Sequence, residues 1–279
     1  MLSVIRRFPT VSFFVLAYAI SWAFWIPLLL SGARVAPGSS TTHFPGLLGP
    51  AFAALIVQAV WRGRAGVREL WHRMTLVSHP AWRFWAYSLS PLGFLAIAFV
   101  LLAMRGDRFP GPDAFARYSG LPELGLGTVV VLAIVFSGYG EELGWRGFAL
   151  DRLQARFGPL GGAVVLAALW AGWHLPAFGF IQTYREMTLP MIVGGFLLGI
   201  TCGSIVLARI AHQTGGSVLA AALWHATYNL TSATSAGGGW VSAVTTTCVM
   251  VWAIVLVARE WRRPVERSLL SFGIQPRAA

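Results

Sequence analysis

The sequence predicts an all-α, polytopic membrane protein with about eight transmembrane helices and both termini in the cytoplasm. Three observations carry that prediction. Of 279 residues, 56% are apolar and only 11% charged, under half the share of roughly 25% that coats a soluble domain. The apolar residues fall in runs long enough to cross a hydrocarbon core of ~30 Å. The basic residues, all 21 of them arginine, concentrate in alternate connections between those runs, as the positive-inside rule requires. Mean hydropathy is +0.66 and the formal net charge +11. So high a charge can mark a nucleic-acid binder, but arginines set between apolar runs mark cytoplasmic loops and lipid headgroups. No nucleic-acid partner is expected.

Residues 1–124 read as N-terminal membrane spans. Arg6 and Arg7 precede an apolar run over 10–32. That run is longer than the roughly 7–15-residue core of a secretory signal and carries Trp22 and Trp25, so it reads as a retained first span. A short second span covers 45–61. Near 63–80, Val67, Leu70, Trp71 and Met74 recur at i, i+3, i+4 and i+7 among arginines, the pattern of a helix lying in the membrane interface. The third span covers 84–104. Residues 125–233 hold the next four, over 126–150, 161–179, 189–208 and 216–233, the last again short. Residues 234–279 hold a final span over 240–258 and a basic cytoplasmic tail, poorly ordered from Glu260 on. With the N-terminus inside, sixteen arginines lie in inner segments, Arg64, Arg68, Arg73, Arg146 and Arg277 among them, and five in outer loops. The expected location is the cell membrane, with the lipid bilayer as constant partner. Cys202 and Cys248 lie in apolar runs without metal-ligand spacing and read as packing residues.

Of the ten acidic residues, eight fall in loops or at span ends. The exceptions are Glu141 and Glu142, in Ser137-Gly-Tyr-Gly-Glu-Glu-Leu-Gly-Trp-Arg146. A carboxylate at mid-membrane costs at least ~2.5 kcal/mol, so two adjacent ones need a reason. Glu142 and Arg146 stand at i, i+4 and can pair along one helix face. Glu141, about 100° further round the helix, needs a polar partner on another span. Two spans offer one: Trp170-Ala-Gly-Trp-His174 and His225-Ala-Thr-Tyr-Asn229, whose His and Asn share a face. Counted from the cytosolic interface, Glu141 lies roughly 16 Å deep at the α-helical rise, and His174 and His225 reach a similar level.

A carboxylate, two imidazoles and an amide form a hydrolytic set. Glutamate can take a proton from water. Histidine can orient that water or bind a metal, and histidine and asparagine can donate hydrogen bonds to an oxyanion. Neither the His-Glu-x-x-His zincin motif nor the Gly-x-Ser-x-Gly elbow occurs. Three other readings fit the same residues: a non-catalytic immunity or scaffold protein, a proton-coupled transporter using the set as a relay, and a serine protease using Ser137 with His225.

Glu141-Glu-x-x-x-Arg146, Trp170-x-x-x-His174 and His225-x-x-x-Asn229 resemble the three motifs of the CPBP family of CAAX proteases and bacteriocin-processing proteins (ABI), which includes the type II CAAX prenyl endopeptidases. Order, spacing and placement on successive apolar segments all match, over about residues 125–233. Trp170 departs from the Phe usual in the family and keeps an aromatic wall. The resemblance implies an eight-span intramembrane endopeptidase acting on a peptide or membrane-anchored protein. Glu141 and His174 would activate the attacking water, and His225 and Asn229 would support the oxyanion. Glu142, Arg146 and Trp170 would be supporting residues. The resemblance leaves the cofactor open between none and a divalent metal, zinc, held by Glu141, His174 and His225.

Overall fold

The computed structural model describes residues 2–264 and 267–271. Within them the architecture is all-helical, with three isolated β-bridges between loops, Val35 to Ile181, Pro37 to Ser119 and Tyr118 to Thr234. The main helices are α1 (Pro9–Leu30), α2 (Gly49–Thr75), α3 (Ala81–Ser88), α4 (Ser90–Arg105), α5 (Leu126–Phe157), α6 (Pro159–Trp173), α7 (Met191–Gln213), α8 (Val218–Ser232) and α9 (Trp240–Glu260). Several begin with proline in the first turn, where its missing N–H removes no helical bond.

Each of the eight expected segments is therefore helical, but they are not eight equal crossings. Five helices are long and apolar enough to span a membrane, and a sixth arises if α3 and α4, bent by 52°, count as one. α6 and α8 have 15 residues each, or ~22 Å at the α-helical rise, less than the hydrocarbon thickness. Local sequence stops both. α6 starts at Gly158-Pro159 and ends before Leu175-Pro176. α8 starts where the Ser217 hydroxyl accepts the Ala220 N–H at 3.1 Å. It sits centrally, packed on α5, α3, α4, α7 and α9.

Other expectations need correction. The interfacial segment is the continuation of α2 beyond a kink at Gly63 (φ 61°, ψ −145°), and it ends at Thr75 rather than near 80. Of its apolar stripe, Leu70 is buried and Val67 and Met74 half-buried, but Trp71 is 65% exposed. α5 runs past 150 to Phe157. Arg146 is consequently sealed inside the bundle, and Arg73 is buried as well, so neither belongs to the loop charges counted above. The tail after Glu260 is not loose over 267–271. Gln154 Nε2 donates to the Leu270 carbonyl at 2.7 Å, Arg209 Nη1 to that of Leu269 at 3.1 Å, and the Leu269 N–H and Ser268 hydroxyl donate to the Glu260 carboxylate. Arg277 lies outside the described residues.

Close helix approach and indole hydrogen bonds hold the bundle. A Cβ at Gly138 would meet the Ala222 carbonyl of α8 at 2.8 Å, and one at Gly144 would meet Pro50 of α2 at 2.5 Å. Small residues at these positions let α5 lie against both neighbours, the means by which membrane helices gain packing energy without a hydrophobic drive. Trp173 Nε1 donates to Ser21 Oγ at 2.8 Å, Trp22 Nε1 to the Trp173 carbonyl at 2.9 Å, and Trp25 Nε1 to the His43 carbonyl at 2.9 Å. The first two fix α1 against α6, and the third ties α1 to the loop before α2.

Candidate functional site

α5 is not a uniform helix. Two π-helical segments, Ala133–Tyr139 and Trp145–Ala149, flank the α-helical turn Gly140–Gly144 that carries both glutamates. A π segment widens the turn and disturbs the i→i+4 ladder, leaving backbone carbonyls in need of donors. Arg73 supplies them from the α2 extension. Its Nη2 donates to the Arg146 carbonyl and its Nη1 to the Gly147 carbonyl, both at 2.9 Å. Its Nε donates to the Gly216 carbonyl, just before α8, at 2.8 Å, and Nη1 also reaches Asp151 Oδ2 at 2.9 Å. One guanidinium thus ties α2 to the helices bearing the first and third motifs.

Glu142 and Arg146 are both fully buried and paired at 2.9 Å, as their spacing predicts. The same oxygen, Glu142 Oε1, also accepts the Nδ1–H of His225 at 2.8 Å. The sequence reading reserved Glu142 for Arg146 and left the histidines to Glu141; the structure instead joins α5 to α8 through Glu142. Arg146 Cζ lies 4.6 Å from the Trp170 ring centroid, so its charge also rests on an aromatic face.

Glu141 is 3% exposed, and its Oε2 accepts the Trp170 Nε1–H at 2.8 Å. Glu142 leaves Oε2 sealed without a partner, whereas no Glu141 oxygen is among such orphans. His174 follows the last residue of α6, and its Nδ1–H donates to the Trp170 carbonyl at 2.8 Å. The acceptor fixes the tautomer and leaves Nε2 with a lone pair. The Trp170 ring stands 5.4 Å from that of His225 and 6.1 Å from that of His174. Trp170, expected only as an aromatic wall, contacts Glu141, Arg146, His174 and His225. Its indole N–H was the signal a Phe-like reading passes over.

Asn229 lies one turn beyond His225 on α8, half-buried. Beside it, and beside Ser137, is the phenol of Tyr118, a residue the sequence reading missed. Tyr118 comes from a loop held by its bridge to Thr234 and packs edge-on against Phe44 at 5.6 Å. Burial pushes its phenol up to about 12, so it stays protonated and able to donate. Ser137 spends its hydroxyl proton on the Ala133 carbonyl at 2.8 Å, and no hydrogen bond joins it to His225 among the described residues, so the alternative serine arrangement is not assembled. Among the described residues no three His, Cys, Asp or Glu side chains form a group that could hold a metal ion; Glu141, His174 and His225 do not fit one as placed.

Residues 123–231 match a protein family described as "Type II CAAX prenyl endopeptidase Rce1-like". The match contains every motif residue named above and stops short of Arg73 and Tyr118. The chain is also 28% identical over 146 residues to "CAAX prenyl protease 2" of Methanococcus maripaludis, covering 50% of this chain and 54% of that protein. The chain thus spans about half the length of the curated relative it matches.

Proposed function

From the match of residues 123–231 to the family of type II CAAX prenyl endopeptidases, we propose that the chain belongs to the CPBP family of CAAX-type proteases and is an intramembrane endopeptidase that hydrolyses peptide bonds of membrane-associated proteins or peptides. The observation that supports this best is Trp170: its indole holds Glu141, its carbonyl holds His174, and its face meets His225.

Glu141 serves as general base. With Oε2 fixed by the indole, its other oxygen takes a proton from water while His174 Nε2 accepts the water's second hydrogen bond and aims it. Attack on the scissile carbonyl places negative charge on its oxygen. Asn229 donates from its amide, and His225 donates from Nε2 when both ring nitrogens carry protons. Two carboxylates facing a single guanidinium, Arg146, supply the charge that such an imidazolium balances. Donors fixed in a water-poor site stabilise that oxyanion strongly. Collapse of the tetrahedral intermediate transfers the proton from Glu141 to the leaving amine and regenerates the carboxylate. Glu142 and Arg146 position His225 and take no part in bond making.

The name of the methanogen relative points to C-terminal tails ending in a prenylated Cys-a-a-X sequence as the first substrates to try. The test is cleavage of such a prenylated peptide, and of its unprenylated counterpart, by purified protein in lipid. Cleavage that disappears in Glu141→Gln while the thermal melt is kept supports the reading. Cleavage unaffected by that substitution overturns it.

A further inference from the structure

Beyond the Gly63 kink the α2 extension has one face turned to the bundle and one turned away. Leu70, Gly66 and Arg73 are buried, while Arg64, Arg68 and Trp71 are exposed. On the outer face Arg64, Val67, Arg68 and Trp71 follow one another at i, i+3, i+4 and i+7, a single stripe. With Ala59 and Gly63 they line a cavity of about 570 Å³. Its cationic members have no salt-bridge partner among the described residues. The neighbouring cavity, about 420 Å³, contains Arg62, Arg68 and Glu69, and there the Arg62–Glu69 ion pair uses up the one acidic side chain of the segment. The stripe therefore presents two uncompensated guanidinium groups, one turn apart, beside an indole and a valine.

We propose that this stripe is a binding site for the headgroup of an anionic phospholipid. The phosphate would lie between Arg64 and Arg68, which suit the geometry of phosphate oxygens, and the glycerol and first methylenes would lie against Val67 and Trp71. Charge complementarity and position favour this occupant over other anions. The stripe begins where the apolar part of α2 ends, and Trp61, Trp82 and Trp85 are likewise exposed, as in an interfacial aromatic belt. The proposal rests on the chain being membrane-embedded and does not depend on its proteolytic activity.

Native mass spectrometry of the full chain in detergent, titrated with phosphatidylglycerol, tests it. Wild type should retain phosphatidylglycerol in preference to phosphatidylcholine. Arg64→Gln and Arg68→Gln should each weaken retention roughly fivefold and the pair ~30-fold, the loss expected for removing one or two surface cations. Arg262→Gln with Arg263→Gln, at exposed positions elsewhere, should leave retention unchanged. Retention equal in wild type and the Arg64/Arg68 pair overturns the site. Equal loss in the Arg262/Arg263 control overturns its locality. Competition by inorganic phosphate at matching concentration overturns the lipid as occupant. Both arginines are exposed, so folding should survive; if the double variant fails to fold, the two single variants decide by the same criterion.

Discussion

His225 Nδ1 lies 2.8 Å from Glu142 Oε1, the atom that Arg146 Nη1 also reaches at 2.9 Å. One carboxylate oxygen therefore holds a cation of its own helix and an imidazole of α8. Removing that charge strands Arg146, whose Nε and Nη2 already have no partner, and frees the His225 ring. Glu142→Gln should lose stability of order 3–5 kcal/mol, the scale for breaking a buried pair from one side, and activity with it. Thermal melts in detergent beside cleavage assays check this; a variant with wild-type melt and wild-type rate contradicts it.

Glu141 differs although it is the adjacent residue. Glu141→Gln keeps an oxygen to accept the Trp170 indole, so the fold should be nearly unaffected. Loss of the proposed general base should reduce kcat by about 10²–10⁴-fold. Equal destabilisation of the two glutamine variants would remove the distinction between a chemical and a structural carboxylate.

Trp170→Phe separates the ring from its hydrogen bond. The aromatic contacts to His225 and Arg146 can persist, while the Nε1–H to Glu141 is lost. A hydrogen bond to a charged group contributes ~1.5–3 kcal/mol, so kcat should fall about 10- to 100-fold with little change in KM. If KM rises instead with kcat unchanged, Trp170 acts on substrate binding rather than on the base.

Arg73 satisfies three backbone carbonyls, those of Arg146, Gly147 and Gly216. Arg73→Gln should lower the melt clearly, since each carbonyl left buried without a donor costs about 1–3 kcal/mol. Arg73→Lys, with a point-like ammonium in place of a planar fork, should recover only part of the loss. Asp151→Asn should cost much less, because that carboxylate is 40% exposed and solvent screens its pair. Comparable melts for Arg73→Gln and Asp151→Asn would show that the carbonyl contacts carry little.

These residues also mark where sequence reasoning succeeds and where it stops. Glu142 with Arg146, and His225 with Asn229, lie four apart on their helices, so helical periodicity alone places them on a common face. Contacts between helices have no such periodicity. Nothing in the spacing ties His225 to Glu142 rather than Glu141, because the π segments on both sides of Gly140–Gly144 change which way each side chain points. Hydropathy located α8 to within two residues at either end but overestimated the reach of α6, since an apolar run that continues past Pro176 scores as membrane after the helix has ended at Trp173. Tyr118 was hidden for another reason: it belongs to a loop, where no pattern ties a residue to a distant span.

The donor arrangement bears last on metal dependence. A zinc ligand histidine usually gives its second ring nitrogen to a carboxylate or backbone carbonyl, and both histidines here do so, His225 to Glu142 and His174 to the Trp170 carbonyl. That orientation suits a ligand and a metal-free role equally. Distance separates them: a catalytic zinc site needs three protein ligands converging on one point, and no such group of His, Cys, Asp or Glu occurs among the described residues. Glu141 is, in addition, held by the Trp170 indole and proposed as base, a role in which a metal bond would occupy its lone pairs. Cleavage should therefore persist after exhaustive chelation, with zinc well below one per chain by elemental analysis. Stoichiometric zinc whose removal abolishes cleavage, and whose return restores it, would make Glu141, His174 and His225 ligands and require them to close together on binding.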